Sequence, residues 1–294
     1  MRFEDQGESD NIEDRRGSSG GGFGGGLPIG GRSIGVGTVV LALVAWYFGV
    51  DPNLVLNMGA QTAPPPAHQQ APRSETQEES QAKHLVGQVL KDTETTWTEI
   101  FQTGNAQYVK PKLVLFRDAT PTACGTGEAA MGPFYCPGDQ RVYLDLGFFD
   151  ELTRRFRAPG QFAEAYVVAH EVGHHVQNLL GISEKVQAAR ERSGSKAASN
   201  ALSVKLELQA DCFAGLWAAH AVKQGRLTLD AGDVESAITA ATAIGDDTLQ
   251  RQAQGRVVPD SFTHGSSEQR VRWFRRGMDS GQIKQCDTFN AASL

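Results

Sequence analysis

His170, Glu171 and His174 form an H-E-x-x-H pattern inside a run whose apolar residues recur at helical spacing. Side chains four apart on a helix lie one above the other on the same face, so two imidazoles at this spacing can grip one metal ion. The carboxylate next to the first imidazole then stands beside the metal's open position, where it can take a proton from water. The chemistry this predicts is metal-assisted hydrolysis, with His170 and His174 as ligands and Glu171 as general base. The host segment reads FAEAYVVAHEVGHHVQNLL, from Phe162 to Leu180, with Gly181 as its stop. Gly173 costs this helix roughly 1 kcal/mol of propensity against Ala, and close packing of a second backbone is the expected reason for it.

A catalytic zinc site takes three protein ligands and leaves one position open. The extension H-E-x-x-H-x-x-G-x-x-H is absent, because Gln177 and Leu180 stand where its glycine and last histidine would be. The third ligand must therefore come from elsewhere. Within an apolar helical run from about Ala201 to Val222, Glu207 and Asp211 are four apart and share a face. Glu207 is the expected ligand. Asp211 is expected to accept the outer N–H of a ligating histidine and fix its ring.

With these residues in place, the chain resembles the neutral zinc metallopeptidases of bacteria, a gluzincin-like family with one N-terminal membrane span. The matching stretches are NIEDRRG, FYCPGDQRVYLDLGFF, AHEVGHHVQNLLGI, KLELQADCFAGLWA and FTHGSSEQRVRWFRRG, spread over nearly the whole chain. The resemblance implies a zincin-type catalytic domain and names no substrate. It also suggests that Arg141 to Asp145 is an edge strand above the metal, pairing with the substrate backbone by β-addition.

The elements around the motif divide the 294 residues into four parts. Residues 1–32 are polar and then Gly-rich, with nine glycines between Gly17 and Gly31, and are expected to be a disordered cytoplasmic tail. Residues 33–56 are expected to form a transmembrane helix, since Ser33 to Val50 carries no charge. Arg15, Arg16 and Arg32 precede it and no Lys or Arg follows before Arg73, which places the bulk of the chain outside the cytoplasm. Residues 57–81 read as a Pro/Gln-rich linker, and 82–294 as the zinc metallopeptidase domain. The expected fold class is α+β: zincin-like, mostly helical with a small sheet, preceded by the transmembrane helix. A first long helix runs from about Ala82, Lys112 to Phe116 is a strand, and Phe134 to Cys136 with Arg141 to Leu144 is a hairpin.

Cys124, Cys136, Cys212 and Cys286 form no C-x-x-C pair, and an even count in an exported domain points to two disulfides. The expected pairing is Cys124–Cys136, closing a Gly-rich loop, and Cys212–Cys286, tying the C-terminus to the Glu207 helix. A further donor to the developing oxyanion is sought in the 263–270 segment. His264 is the candidate, with Arg270 holding the loop or a substrate carbonyl. Their spacing is similar to the H-P-x-x-x-x-R element of CAAX-processing proteases, with Gly265 in place of the proline. Tyr135 and Tyr143 are the alternatives. His175 is expected to be structural, and His68, His84 and His220 have no assigned role.

The composite expectation is a single-pass metalloendopeptidase of the bacterial inner membrane, with one Zn²⁺, facing the periplasm or exterior and acting on a protein or peptide. A net charge of −6 argues against nucleic acid as a partner. The competing reading is a non-catalytic zincin-fold scaffold of the cell envelope; an intact Glu171 weighs against it. A zinc hydrolase acting on a cell-wall peptide cross-link is a third.

Overall fold

Thr76 opens the first long helix by accepting from the Glu79 amide while Glu79 bonds back to the Thr76 amide, a reciprocal cap that satisfies two free donors. That helix, α1 (Gln77–Thr103), starts five residues before the expected domain boundary. The computed structural model describes residues 1–4, 7–17, 27–29, 32–34 and 75–294. These fall into two units, Met1–Arg16 with Glu75–Leu294, and Gly17–Ser74. In the second, β3 (Leu27–Ile29) and β4 (Arg32–Ile34) form an antiparallel pair.

In the first unit β1 is Arg2–Phe3, β2 Ile12–Asp14, β5 Lys112–Phe116, β8 Phe134–Cys136 and β9 Arg141–Asp145. β6 (Ala119–Thr122) and β7 (Gly125–Glu128) form a separate ribbon. The main sheet has four strands in the order β2-β5-β9-β8, with β8 antiparallel to β9 and the other pairs parallel. Alternation sorts its side chains. Leu113, Leu115, Val142 and Leu144 join the main core, while Val114, Phe116, Cys136 and Tyr143 build a small cluster on the opposite face. The helices that follow are α2 (Gly147–Arg154), α3 (Gln161–Leu179), α4 (Ile182–Glu191) and α5 (Lys196–Lys223). After β10 (Leu227–Thr228) come α6 (Asp233–Ala243), α7 (Asp246–Gln254) and α8 (Ser267–Ser280).

Three expectations are corrected here. First, the tail expected over 1–32 holds paired strands among its described residues. β1 pairs with β10, and β2 pairs with β5, completing the sheet. Second, the fold class does not include a transmembrane helix: among the described residues no helix is long and apolar enough to cross a membrane. The span expected at 33–56 lies outside the described residues except for Ser33 and Ile34, which are in strand β4. β2 and β5 share a sheet, and the Arg16 guanidinium bonds the Glu75 carboxylate at 2.7 Å, so Arg16 and Glu75 belong to one compact unit. Third, Arg141–Asp145 is no edge strand. It pairs with β5 on one side and β8 on the other, which leaves β8 as the edge.

Candidate metal centre

The two expected metal helices cross closely. A methyl group added at Gly173 would lie 3.1 Å from the Ala210 backbone, so glycine there lets α3 settle against α5. That contact brings the imidazoles of α3 opposite the carboxylate of α5. His170 Nε2 is 3.2 Å from Glu207 Oε2, and His174 Nε2 is 3.5 Å from Glu207 Oε1. One ligand atom from each of the three residues lies within 4.8 Å of the others, and the group could hold a metal ion. Two imidazole nitrogens and one carboxylate, with a cleft on the remaining side, form a donor set suited to zinc with an open position.

The outer nitrogens are held as well. Nδ1 of His170 donates to Asp211 Oδ1 at 2.8 Å, leaving Nε2 to face the metal position. Asp211 is fully buried and receives two bonds of 2.9 Å from the Arg270 guanidinium and one of 2.5 Å from the Tyr166 hydroxyl. Arg270 is therefore spent on Asp211 and its neighbours and does not reach for a substrate carbonyl. Burial opposes charge on Asp211, but Arg270 and His170 outweigh it and hold its carboxyl below the usual range. Likewise, burial opposes charge on His170, while Asp211 and Glu207 lift its pKa to about 10. His174 has a partner the sequence reading missed: its Nδ1 bonds Gln177 Oε1 at 2.9 Å, and the Gln177 amide is fixed in turn on the Leu206 carbonyl. An amide one turn beyond a ligating histidine was the available signal.

Glu171 is buried, faces the same cleft, and makes no hydrogen bond among the described residues. Burial pushes its pKa up against the pull of the two histidines. The cleft, about 1010 Å³ in volume, is walled by β8, α3, α4, α5 and the 129–133 turn.

His264 lines this cleft from the opposite side. Ser266 caps α8, and Gly265 before it has φ +92°, which the ring of proline forbids. The likeness to an H-P-x-x-x-x-R element thus fails for a backbone reason. Asp246, at the start of α7, was not singled out in the sequence. Its Oδ2 accepts the amides of Thr263, His264 and Gly265 at 2.6–3.1 Å, and its Oδ1 lies 3.2 Å from His264 Nδ1. The bond to Asp246 raises the pKa of the half-exposed His264 ring, and Nε2 makes no hydrogen bond among the described residues.

The tyrosine alternatives have committed their protons. Tyr143 donates to Asp139 at 2.7 Å on the far face of the sheet. At Tyr135 the assignment follows from chemistry. The Val109 carbonyl only accepts, so His175 Nε2, 2.6 Å away, must be the donor. Burial lowers the pKa of His175 and keeps it neutral, so its Nδ1 accepts from the Tyr135 hydroxyl at 3.0 Å. Tyr135 receives a bond from Asn178 and has no second proton to offer. His84 bonds Glu8 and His220 bonds the Gly281 carbonyl, both away from the cleft; His68 lies outside the described residues. The structure joins Cys124 to Cys136 and Cys212 to Cys286.

Comparison with known proteins agrees with this geometry. The family model "Putative neutral zinc metallopeptidase" matches residues 1–289. The uncharacterized protein YpfJ of Escherichia coli K12 is 50% identical over 293 residues, covering 98% of this chain and 99% of that protein. The uncharacterized protein Rv2575 of Mycobacterium tuberculosis H37Rv is 45% identical over 196 residues, 64% of this chain and 65% of that protein. No solved structure matches the chain. The chain belongs to the neutral zinc metallopeptidase family.

Proposed function

We propose that this protein hydrolyses peptide bonds, with one zinc ion held by His170, His174 and Glu207. The observation that carries the reading is the Glu171 carboxylate, which faces the cleft beside three converging ligand atoms and is held by no protein hydrogen bond among the described residues. Its oxygens open onto the cleft, where water beside the ligands can reach them, and a scaffold would have no use for a base placed there. When bound, zinc would polarise the scissile carbonyl and acidify water. Glu171 takes the proton of the attacking water and passes it to the leaving amine. His264, held by Asp246, donates from Nε2 to the oxyanion as it forms. Arg270, Asp211 and Gln177 orient the ligands and touch no substrate.

The substrate enters as an extended peptide. β8 pairs only with β9 among the described strands, so its outer edge offers free peptide groups along the cleft wall. The cleft around the ligands is lined by residues of the 129–133 turn and of α4, room that supports an endopeptidase mode. Two disulfides suit an oxidising compartment, which argues for an exported domain. The test is a peptide library offered to the full chain with and without a chelator. Cleavage that stops on chelation and returns with zinc is expected; cleavage indifferent to chelation would reject the zinc reading.

A further inference from the structure

The N-terminal segment straps the catalytic unit from β10 to the sheet. The Glu4 amide bonds the Arg226 carbonyl, the Ser9 amide bonds the Gly87 carbonyl of α1, and β2 then pairs with β5. At its centre lies Glu94 of α1, a buried carboxylate. Ser9 Oγ donates to Glu94 Oε1 at 2.6 Å and Asn11 Nδ2 donates to the same oxygen at 2.7 Å. The other oxygen, Oε2, is 3.1 Å from Lys110 Nζ, in the loop between α1 and β5. The carbonyl of the neighbouring Val109 receives the His175 bond, and His175 holds Tyr135 on the cleft edge. Packing follows the same line: the ring of Tyr108 meets that of His175 edge-on at 5.7 Å, and His175 meets Tyr135 at 5.4 Å.

This continuity has a consequence for the cleft. β8 is the outer strand, and its Tyr135 is tied to α3 through His175 and Asn178. The height of β8 over the ligands on α3 is therefore fixed by the position of His175, whose other nitrogen answers to the 105–111 loop. That loop is held to α1 by Glu94, whose second oxygen belongs to the strap.

We infer that residues 1–16 are an in-cis part of the catalytic unit, setting the substrate-pairing edge of β8 through Glu94, the 105–111 loop, His175 and the positioning residue Tyr135. This rests on the reading of β8 as the edge that receives the peptide.

The experiment uses the full chain carrying Asn11→Ala, Tyr135→Phe, or both. Hydrogen exchange reads the coupling whether or not the protein is a peptidase. Asn11→Ala is expected to speed exchange of amides in 106–110 and 134–136 by about fivefold or more, with α3 and α5 as protected as in wild type. With a cleavable peptide, each variant is expected to raise KM roughly 3- to 10-fold at little changed kcat and zinc content, and the double variant to be no worse than Tyr135→Phe alone. Exchange changes confined to 1–16 and 85–97, or effects that multiply in the double variant, would overturn the inference. Ser9→Ala removes the strap's second donor to Glu94 and repeats the test independently. A wild type that cleaves nothing would count against the peptidase reading, and the exchange pattern would still decide the coupling.

Discussion

The helices that carry the candidate ligands and the sheet that walls the cleft are built on different length scales. On α3, His170, Glu171 and His174 are placed by one turn of backbone, and α5 adds Glu207 and Asp211 by the same rule. The sheet has no such local rule: β2 meets β5 about a hundred residues along the chain, and β8 meets the site through a histidine on α3. Chemistry is thus assembled from short repeats, whereas the surface that would present the substrate depends on pairings no short window contains. Damage on the helical side should therefore strike turnover and metal, and damage on the sheet side should strike substrate capture and stability.

The sharpest break in that division comes from the ligands. Glu207→Ala or His174→Ala should lose zinc on dialysis and lower turnover by on the order of 10³-fold or more, read by metal analysis beside peptide cleavage. Full occupancy in Glu207→Ala would remove α5 from the metal site. Next is His264→Ala, expected to cost kcat roughly 10²-fold with zinc retained. Its partner gives a signed pH test. Asp246 raises the His264 pKa above the ordinary value of about 6.5, so the protonated donor persists until pH rises through that raised value. Asp246→Asn should therefore move the alkaline limb of kcat to lower pH; an unmoved limb would assign it to another group.

A smaller effect is expected one layer out. Gln177→Ala frees the His174 ring and should weaken zinc affinity roughly 10- to 100-fold, measured by competition with a chromophoric chelator. The two disulfides then contrast the regions in stability alone. Cys212–Cys286 closes a separation of 74 residues in the helical half and should be worth about 4 kcal/mol; Cys124–Cys136 closes 12 beside the sheet and should be worth about 3 kcal/mol. Denaturation of the paired Cys→Ser variants would show the larger midpoint loss for the first, and the reverse order would mean that strain or residual structure governs both.

Legibility in the sequence follows the same division. The spacing of His170, His174, Glu207 and Asp211 announced that they would come together, because helical periodicity ties sequence distance to spatial distance. Strands β5, β8 and β9 could be seen from their residues, but their order could not, so Arg141–Asp145 was assigned an edge it does not occupy. Residues 1–16 read as a tail because a two-residue and a three-residue strand leave no pattern; their order comes from partners such as Glu94 and Leu113. Asp246 was hidden for the same reason: it sits on a separate helix eighteen residues before His264 and binds the backbone rather than a motif. The uncharged run after Arg32 carried the reading of a single span, and among the described residues no helix is long and apolar enough to be one.

The central claim is that a buried glutamate works as the base beside a zinc held by α3 and α5. Glu171→Gln keeps the shape of the side chain and removes its basicity. Zinc content and peptide turnover of this variant, measured together on the full chain, test the claim most directly. The account expects about one zinc per chain, as in wild type, with turnover at least ~10²-fold lower. Wild-type turnover in a zinc-loaded Glu171→Gln protein would contradict it.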